Sequence, residues 1–228
     1  MRCAISLLLW AVAVLALSDA SAQSLAKRSL IVPEIGIASA TGDLAEPINR
    51  GGLNTGSGPG GGVSFVHFFS EGFGAAARWR YVRLPVRDLE SGSVHVSGHV
   101  FDVSVYLTLA TKGPVIPFVN AGLMLGKPKI SGETDDFPYF YSADRVSGTV
   151  DIDWTSGLTI GGGILNPMTD RFGLYLAGEY NHLSTDGSEA EITIESGSSD
   201  LPEKVIIPLN ADWFTIKAGL MIFLGSSQ

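Results

Sequence analysis

Phe101-Asp-Val-Ser-Val-Tyr-Leu-Thr-Leu-Ala110 sorts its side chains into two kinds by parity. Phe101, Val103, Val105, Leu107 and Leu109 fall on one side; Asp102, Ser104, Tyr106 and Thr108 fall on the other. Successive side chains of an extended chain point to opposite faces, so this period of two predicts a strand with one apolar face. Working outward, the strand widens to Gly98–Ala110 and seven more are predicted. They run over Leu30–Ala40, Gly61–Ser70, Phe73–Pro85, Val115–Gly126, Asp151–Leu165, Phe172–Ser184 and Ala211–Leu224. Most are 10 to 15 residues, longer than the roughly 5–6 of soluble strands and suited to tilted strands that cross a membrane.

The connections follow a rule of their own. Glu71-Gly72, Thr111–Pro114 and Asn166–Arg171 read as tight turns, whereas 41–60, 86–97, 127–150 and 185–210 are long and polar. Long and short alternate strictly, which predicts an all-β fold: a closed antiparallel up-and-down barrel of about eight strands, with its long loops at one end. The two faces predict what surrounds it. One face carries Ile31, Ile35, Ile37, Phe73, Ala75, Ala77, Trp79, Tyr81 and, late in the chain, Phe214, Ile216, Ala218, Leu220, Ile222 and Leu224. Glu34, Arg78, Arg80, Asp102, Glu179 and Lys217 fall on the other. A charge facing lipid at mid-depth costs about 2–4 kcal/mol, whereas an inward one can pair. Soluble barrels have the reverse arrangement, so the apolar face is read as the outside. Aromatics are expected in two belts, Phe69, Phe73, Phe172 and Phe223 at the short-turn end and Trp79, Tyr81, Phe101, Trp154, Tyr180 and Trp213 at the long-loop end.

Residues 1–22 read as a secretory signal peptide: Arg2, then apolar Ile5–Leu17, then Ala20-Ser-Ala22 as the cleavage site. The remainder, 23–228, is read as one domain. The apolar run is too short for a helical span, which needs roughly 20 residues. Cys3, the only cysteine, lies within it, so the mature chain is expected to lack disulfides, Cys-bound zinc and a cysteine nucleophile. The segment removes one base, Arg2, and one acid, Asp19, so the net charge of −8 belongs to the remainder. Such acidity without a basic patch argues against nucleic acid. A mean hydropathy of +0.26 with only 17% charged residues, spread thinly, fits strands that each show a greasy face.

With these features the chain resembles the small outer-membrane β-barrel proteins of the OmpA-barrel and OmpX kind. Pro59–Phe69 (PGGGVSFVHFF), Pro117–Gly126 (PFVNAGLMLG) and Phe172–Ser184 (FGLYLAGEYNHLS) carry the resemblance across the mature chain. It implies the outer membrane of a Gram-negative-type bacterium, with outer-membrane lipid and lipopolysaccharide as surroundings. Lys217–Leu224 (KAGLMIFL) is similar to that family's assembly signal, which implies that Lys217, Gly219, Ile222 and Leu224 are read by the barrel-insertion machinery. The family usually ends on an aromatic residue; here Gly225–Gln228 follows.

Candidate chemistry is sparse. The six inward charges are read as a structural salt-bridge network, since ions inside a membrane protein persist when paired. A narrow pore for ions or small solutes is the alternative. His182 and Ser184 share a strand face, and serine hydrolysis needs a hydroxyl, an imidazole and a carboxylate. The spacing resembles the lipid A deacylase barrels, with Glu195 as the candidate acid, although Thr185 stands where that family has Asn. The preferred reading is non-enzymatic, with loops 41–60, 127–150 and 185–210 meeting an extracellular ligand. Asp136–Tyr141 (DFPYFY) is an aromatic loop suited to recognition or to folding back on the rim. Gly51–Gly62 lacks the lysine of a phosphate loop and reads as flexible loop. His67, His95 and His99 lack metal-ligand spacing, and no metal or cofactor is expected.

Overall fold

The computed structural model describes residues 24–47, 50, 52–89, 92–110, 113–134, 146–196, 204–207 and 210–225. Residues 1–22, read as a signal peptide, and Asp136–Tyr141 lie outside them. Eleven strands are formed: β1 (Ser29–Thr41), β2 (Ser57–Phe68), β3 (Phe73–Pro85), β4 (Ser93–Thr108), β5 (Ile116–Thr134), β6 (Val146–Ile152), β7 (Thr155–Pro167), β8 (Phe172–Leu183), β9 (Ser188–Ser196), β10 (Lys204–Ile207) and β11 (Ala211–Leu224). Eight of them close a ring in the order β1-β2-β3-β4-β5-β7-β8-β11, with β11 paired back to β1. Closure leaves the ring without an edge, which is what an apolar exterior needs if no strand is to show bare backbone to lipid.

The eight predicted strands are the eight of the ring. Three further strands correct the expectation of unstructured long loops. β5 runs past the ring and changes partner: Ile116–Gly126 pair with β7, whereas Lys129–Thr134 pair with β6. Pro128, which has no N–H to donate, falls between the two ladders. β9 then pairs with β6 and β10 with β9, so parts of loops 127–150 and 185–210 form a sheet that stands beyond the ring. Asp151, expected to open a ring strand, lies instead on β6. Gly58 and Gly60, expected in a flexible loop, are strand residues of β2, which starts four residues before the predicted Gly61.

The parity of the sequence becomes inside and outside. Ile35 is 77% exposed, Leu123 70%, and Val103, Leu107, Ile160 and Ile216 also face out, whereas Asp102, Ser104 and Tyr106 are buried between outward neighbours. On β3 the outward band from Phe73 to Tyr81 covers nine residues, and a membrane-crossing strand needs about 9–11. Phe69, Phe73 and Phe172 are exposed at the short-turn end, as are Trp79, Tyr81, Phe101, Trp154 and Tyr180 towards the long-loop end. Two belt assignments are corrected. Phe223 and Trp213 are buried inside, because on β11 they share the parity of inward Lys217 and not that of outward Phe214.

The interior is filled in three layers. At the short-turn end Leu30, Val66, Phe68, Ile116, Leu165, Met221 and Phe223 pack around the stacked rings of Tyr106, Phe118 and Tyr175, whose centroids lie 5.1 and 5.7 Å apart. At the long-loop end Val82, Val96, Val100, Met124, Leu183 and Trp213 form a second apolar layer. Leu44, on a short 3-10 turn at Gly42–Leu44, and Leu53 pack into it from above. Between the two lies the ionic layer.

Candidate functional site

Each of the six predicted inward charges is buried in that middle layer. Glu34 comes from β1, Arg78 and Arg80 from β3, Asp102 from β4, Glu179 from β8 and Lys217 from β11. Arg78 and Asp102 are register partners on adjacent strands, and Arg78 Nε donates to Asp102 Oδ1 at 2.5 Å. Arg80 Nη2 lies 2.8 Å from Asp102 Oδ2, close enough to pair ionically although poorly aligned for a hydrogen bond. Lys217 Nζ donates to Glu34 Oε1 at 3.0 Å and lies 3.0 Å from Glu179 Oε2.

Glu179 is the hub. It is 0% exposed and pairs with Arg78, with Arg80 at 3.1 Å and with Lys217, and it accepts from Asn120 Nδ2 at 3.2 Å. β3 and β8 stand opposite each other in the ring, so the two Arg–Glu179 contacts cross the lumen and bar it. Three acids meet three bases, and the layer is neutral as a whole. That balance matters because an unpaired charge in such a place costs several kcal/mol, on the order of 3–5 when one partner is removed.

Small residues make room for these long side chains, a contribution the sequence reading overlooked. Gly161, Gly36 and Gly62 are the register partners of Glu179, Lys217 and Arg80 on the neighbouring strands. A Cβ on Gly161 would sit 2.5 Å from Glu179 Cγ, and one on Gly36 2.9 Å from Lys217 Cβ. Ser64, whose hydroxyl donates to Glu34 at 3.4 Å, and Asn120 also join the network. Among the described residues, one void beside Trp213 measures about 30 Å³ and one at the ionic layer about 10 Å³, each with room for about one water. A broader concavity is lined mainly by outward residues such as Val63, Phe65, Val103 and Leu123 and lies on the exterior.

Of the candidate set His182, Ser184 and Glu195, the histidine has a carboxylate neighbour other than Glu195. His182 Nδ1 lies 2.6 Å from Asp212 Oδ1, because β8 and β11 pair in a register that sets these residues opposite each other. Glu195 lies on β9 between the pairs Ile194↔Gly148 and Ser196↔Ser147, at the far end of the outer sheet; its side chain is outside the described residues. Loop folding into β9 therefore carries it away from the ring. Among the described residues no hydrogen bond joins His182 to the exposed Ser184. Parity alone could have found Asp212, an outward carboxylate at the start of β11. No group of three or more His, Cys, Asp or Glu comes together as a metal site among the described residues. The assembly-signal residues divide: Lys217 joins the ionic layer, Gly219 faces Glu34 across β1, and Ile222 and Leu224 lie on the outward parity.

No protein-family model and no curated protein sequence matches the chain. Among solved structures it is similar to the outer membrane protein OprG from Pseudomonas aeruginosa, at 15% identity and a TM-score of 0.56 over 91% of this chain and 100% of that one. Neisserial surface protein A gives 14% identity and a TM-score of 0.48 over 85% and 96% of the two chains. The β-barrel domain of Pseudomonas aeruginosa OprF gives 14% and 0.45 over 89% and 100%. The fold is that of a small outer-membrane β-barrel, and the first of these carries that statement.

Proposed function

We propose that this chain is an integral outer-membrane protein of a Gram-negative-type envelope, a sealed and non-enzymatic barrel that holds an outer sheet as an interaction surface. The bar formed by Arg78, Arg80 and Glu179 between two apolar layers supports this proposal, since its contacts cross the lumen between opposite strands. The uncharged outward band supports the membrane placement, because strands that show hydrocarbon-like side chains to water would associate and aggregate. β6, β9 and β10 support the surface role: they extend loops 127–150 and 185–210 beyond the ring, and a ligand would meet them together with loop 41–60. Lys217, Gly219, Ile222 and Leu224 serve as the signal for barrel insertion.

Planar-bilayer recording tests the sealed lumen: the purified protein gives no steps above background, and reproducible steps overturn it. Purification in the absence of detergent tests the placement, since a monodisperse soluble protein contradicts it. The hydrolase alternative keeps one supporting contact, His182 to Asp212. Unchanged lipid A acylation in cells producing Ser184→Ala ends it.

A further inference from the structure

Outward charge is rare on this barrel except at one place. Where β3, β4 and β5 rise past the aromatic belt, register sets Arg83 opposite Ser97 and Ser97 opposite Lys129. Two residues along β4 on either side of Ser97 stand His95 and His99, and His99 is the register partner of Lys127. All of these share the outward parity, which makes a cross with Ser97 at its centre: a cation on each side strand, an imidazole above and below, and Lys127 at a corner. Neighbouring strands are ~4.8 Å apart, so the Arg83 and Lys129 stems start roughly 10 Å from each other and both reach over the small serine.

The lower arm is tied to the belt. The His99 ring stacks on Trp79 at 5.8 Å and leans on Tyr81 at 5.1 Å. The upper arm is braced by His95, which receives Arg83 Nη2 at 3.4 Å on one ring nitrogen and contacts Ser131 Oγ at 3.0 Å with the other. Acids are present at the margin: Asp151 Oδ2 lies 3.3 Å from Lys129 Nζ, exposed Glu191 is the register partner of Asp151 one strand further out, and Glu133 stands above, opposite Ser93. The Lys129 and Asp151 side chains are 41% and 35% exposed, so that pair is open to exchange with a stronger anion. Among the described residues, the charges elsewhere on the rim include Asp43, Glu46, Asp186 and Asp212 with Arg50 as a cation, and the whole chain carries −8. Arg83, Lys127 and Lys129 thus gather on one wall, at the depth where an apolar band gives way to water.

We infer that this wall binds the phosphate of an anionic lipid headgroup in the leaflet facing the long loops, with Arg83 and Lys129 clamping it over Ser97 and Lys127 beside them. The inference rests on the membrane placement proposed above. A planar guanidinium can grip two phosphate oxygens and an ammonium supplies a point charge, a combination suited to a phosphomonoester. The aromatic belt below fixes the depth of the barrel, and so holds the cross at headgroup level.

The test uses the full mature protein in detergent, with native mass spectrometry of retained diphosphoryl lipid A, dephosphorylated lipid A and phosphatidylcholine. The expected result is preferential retention of the diphosphoryl form, reduced about tenfold or more in the double variant Arg83→Gln/Lys129→Gln. Arg87→Gln, a cation outside the cross, leaves it unchanged. Folding of each variant is checked by its heat-modifiable mobility in gels; should the double variant not fold, Lys127→Gln with Lys129→Gln replaces it. Equal retention of phosphorylated and phosphate-free lipid, or an unchanged preference in the folded variant, overturns the inference. So does displacement by millimolar inorganic phosphate, which would make the site one for a soluble anion. Loss of phosphate preference in a protein that still requires detergent leaves the barrel placement standing, whereas a protein soluble without detergent removes both.

Discussion

The ionic layer inside the barrel and the cationic cross on its outer wall are built from alternate positions of the same strands, and they obey opposite rules. Arg78 and Arg80 point in from β3; Arg83, three residues further along, points out. Asp102 points in from β4 and His99 points out. Inside, three bases meet three acids, because a charge without water must find its counterion within the protein. Outside, near the rim, Lys129 pairs with half-exposed Asp151 while Arg83 and Lys127 share the wall with it, and solvent and headgroups can complete the balance. Burial, more than residue type, decides whether charges must come in equal numbers.

The difference can be broken at several points. Glu179→Ala strands Arg78, Arg80 and Lys217 with two acids among them, and should cost on the order of 3–5 kcal/mol in urea unfolding from micelles. A cost below about 1 kcal/mol would mean that water reaches the layer. Leu123→Arg puts a charge on the outward band near mid-depth and should cost about 2–4 kcal/mol in the same assay in lipid. Gly161→Ala crowds Glu179 Cγ and the backbone oxygen of Gly178 across the β7–β8 pair, for about 1–3 kcal/mol, and Glu179→Gln should leave most of that penalty because both contacts persist in the glutamine variant. Lys129→Gln removes only a half-exposed partner of Asp151 and should change stability by no more than about 1 kcal/mol. Loss of one charge should therefore cost several times more at Glu179 in the lumen than at Lys129 on the rim.

The ring was legible in the sequence because each of its strands repeats the parity of Phe101–Ala110 for long enough to read. The outer sheet was not, although its signal was present. Glu189-Ala-Glu-Ile-Thr-Ile-Glu195 alternates acid and small or β-branched residues, and Val150 and Ile152 share one parity. Ala190 and Ile152 are buried against the upper apolar layer, so these segments are half-buried strands whose charged face dominated the composition. Trp213 and Phe223 were legible by parity but were read by residue type, as belt aromatics. The inward charges were legible individually; their partners were not, since the contact of Arg78 with Glu179 spans 101 residues and depends on ring order. Asp212 beside His182 and Lys129 beside Ser97 likewise follow from register between strands, which no single strand encodes.

The proposed membrane placement requires the apolar parity to meet hydrocarbon while the ionic parity meets the interior. Cys3 is the only native cysteine and lies in the segment read as the signal peptide, so single cysteines can be placed at will. A fluorophore on Leu123→Cys, in the mature protein reconstituted in vesicles, should be quenched by brominated acyl chains and ignored by aqueous iodide. One on Arg87→Cys, exposed beyond β3, should behave in the opposite way. Quenching of the Leu123 position by iodide, with no response to bromolipid, would contradict the account.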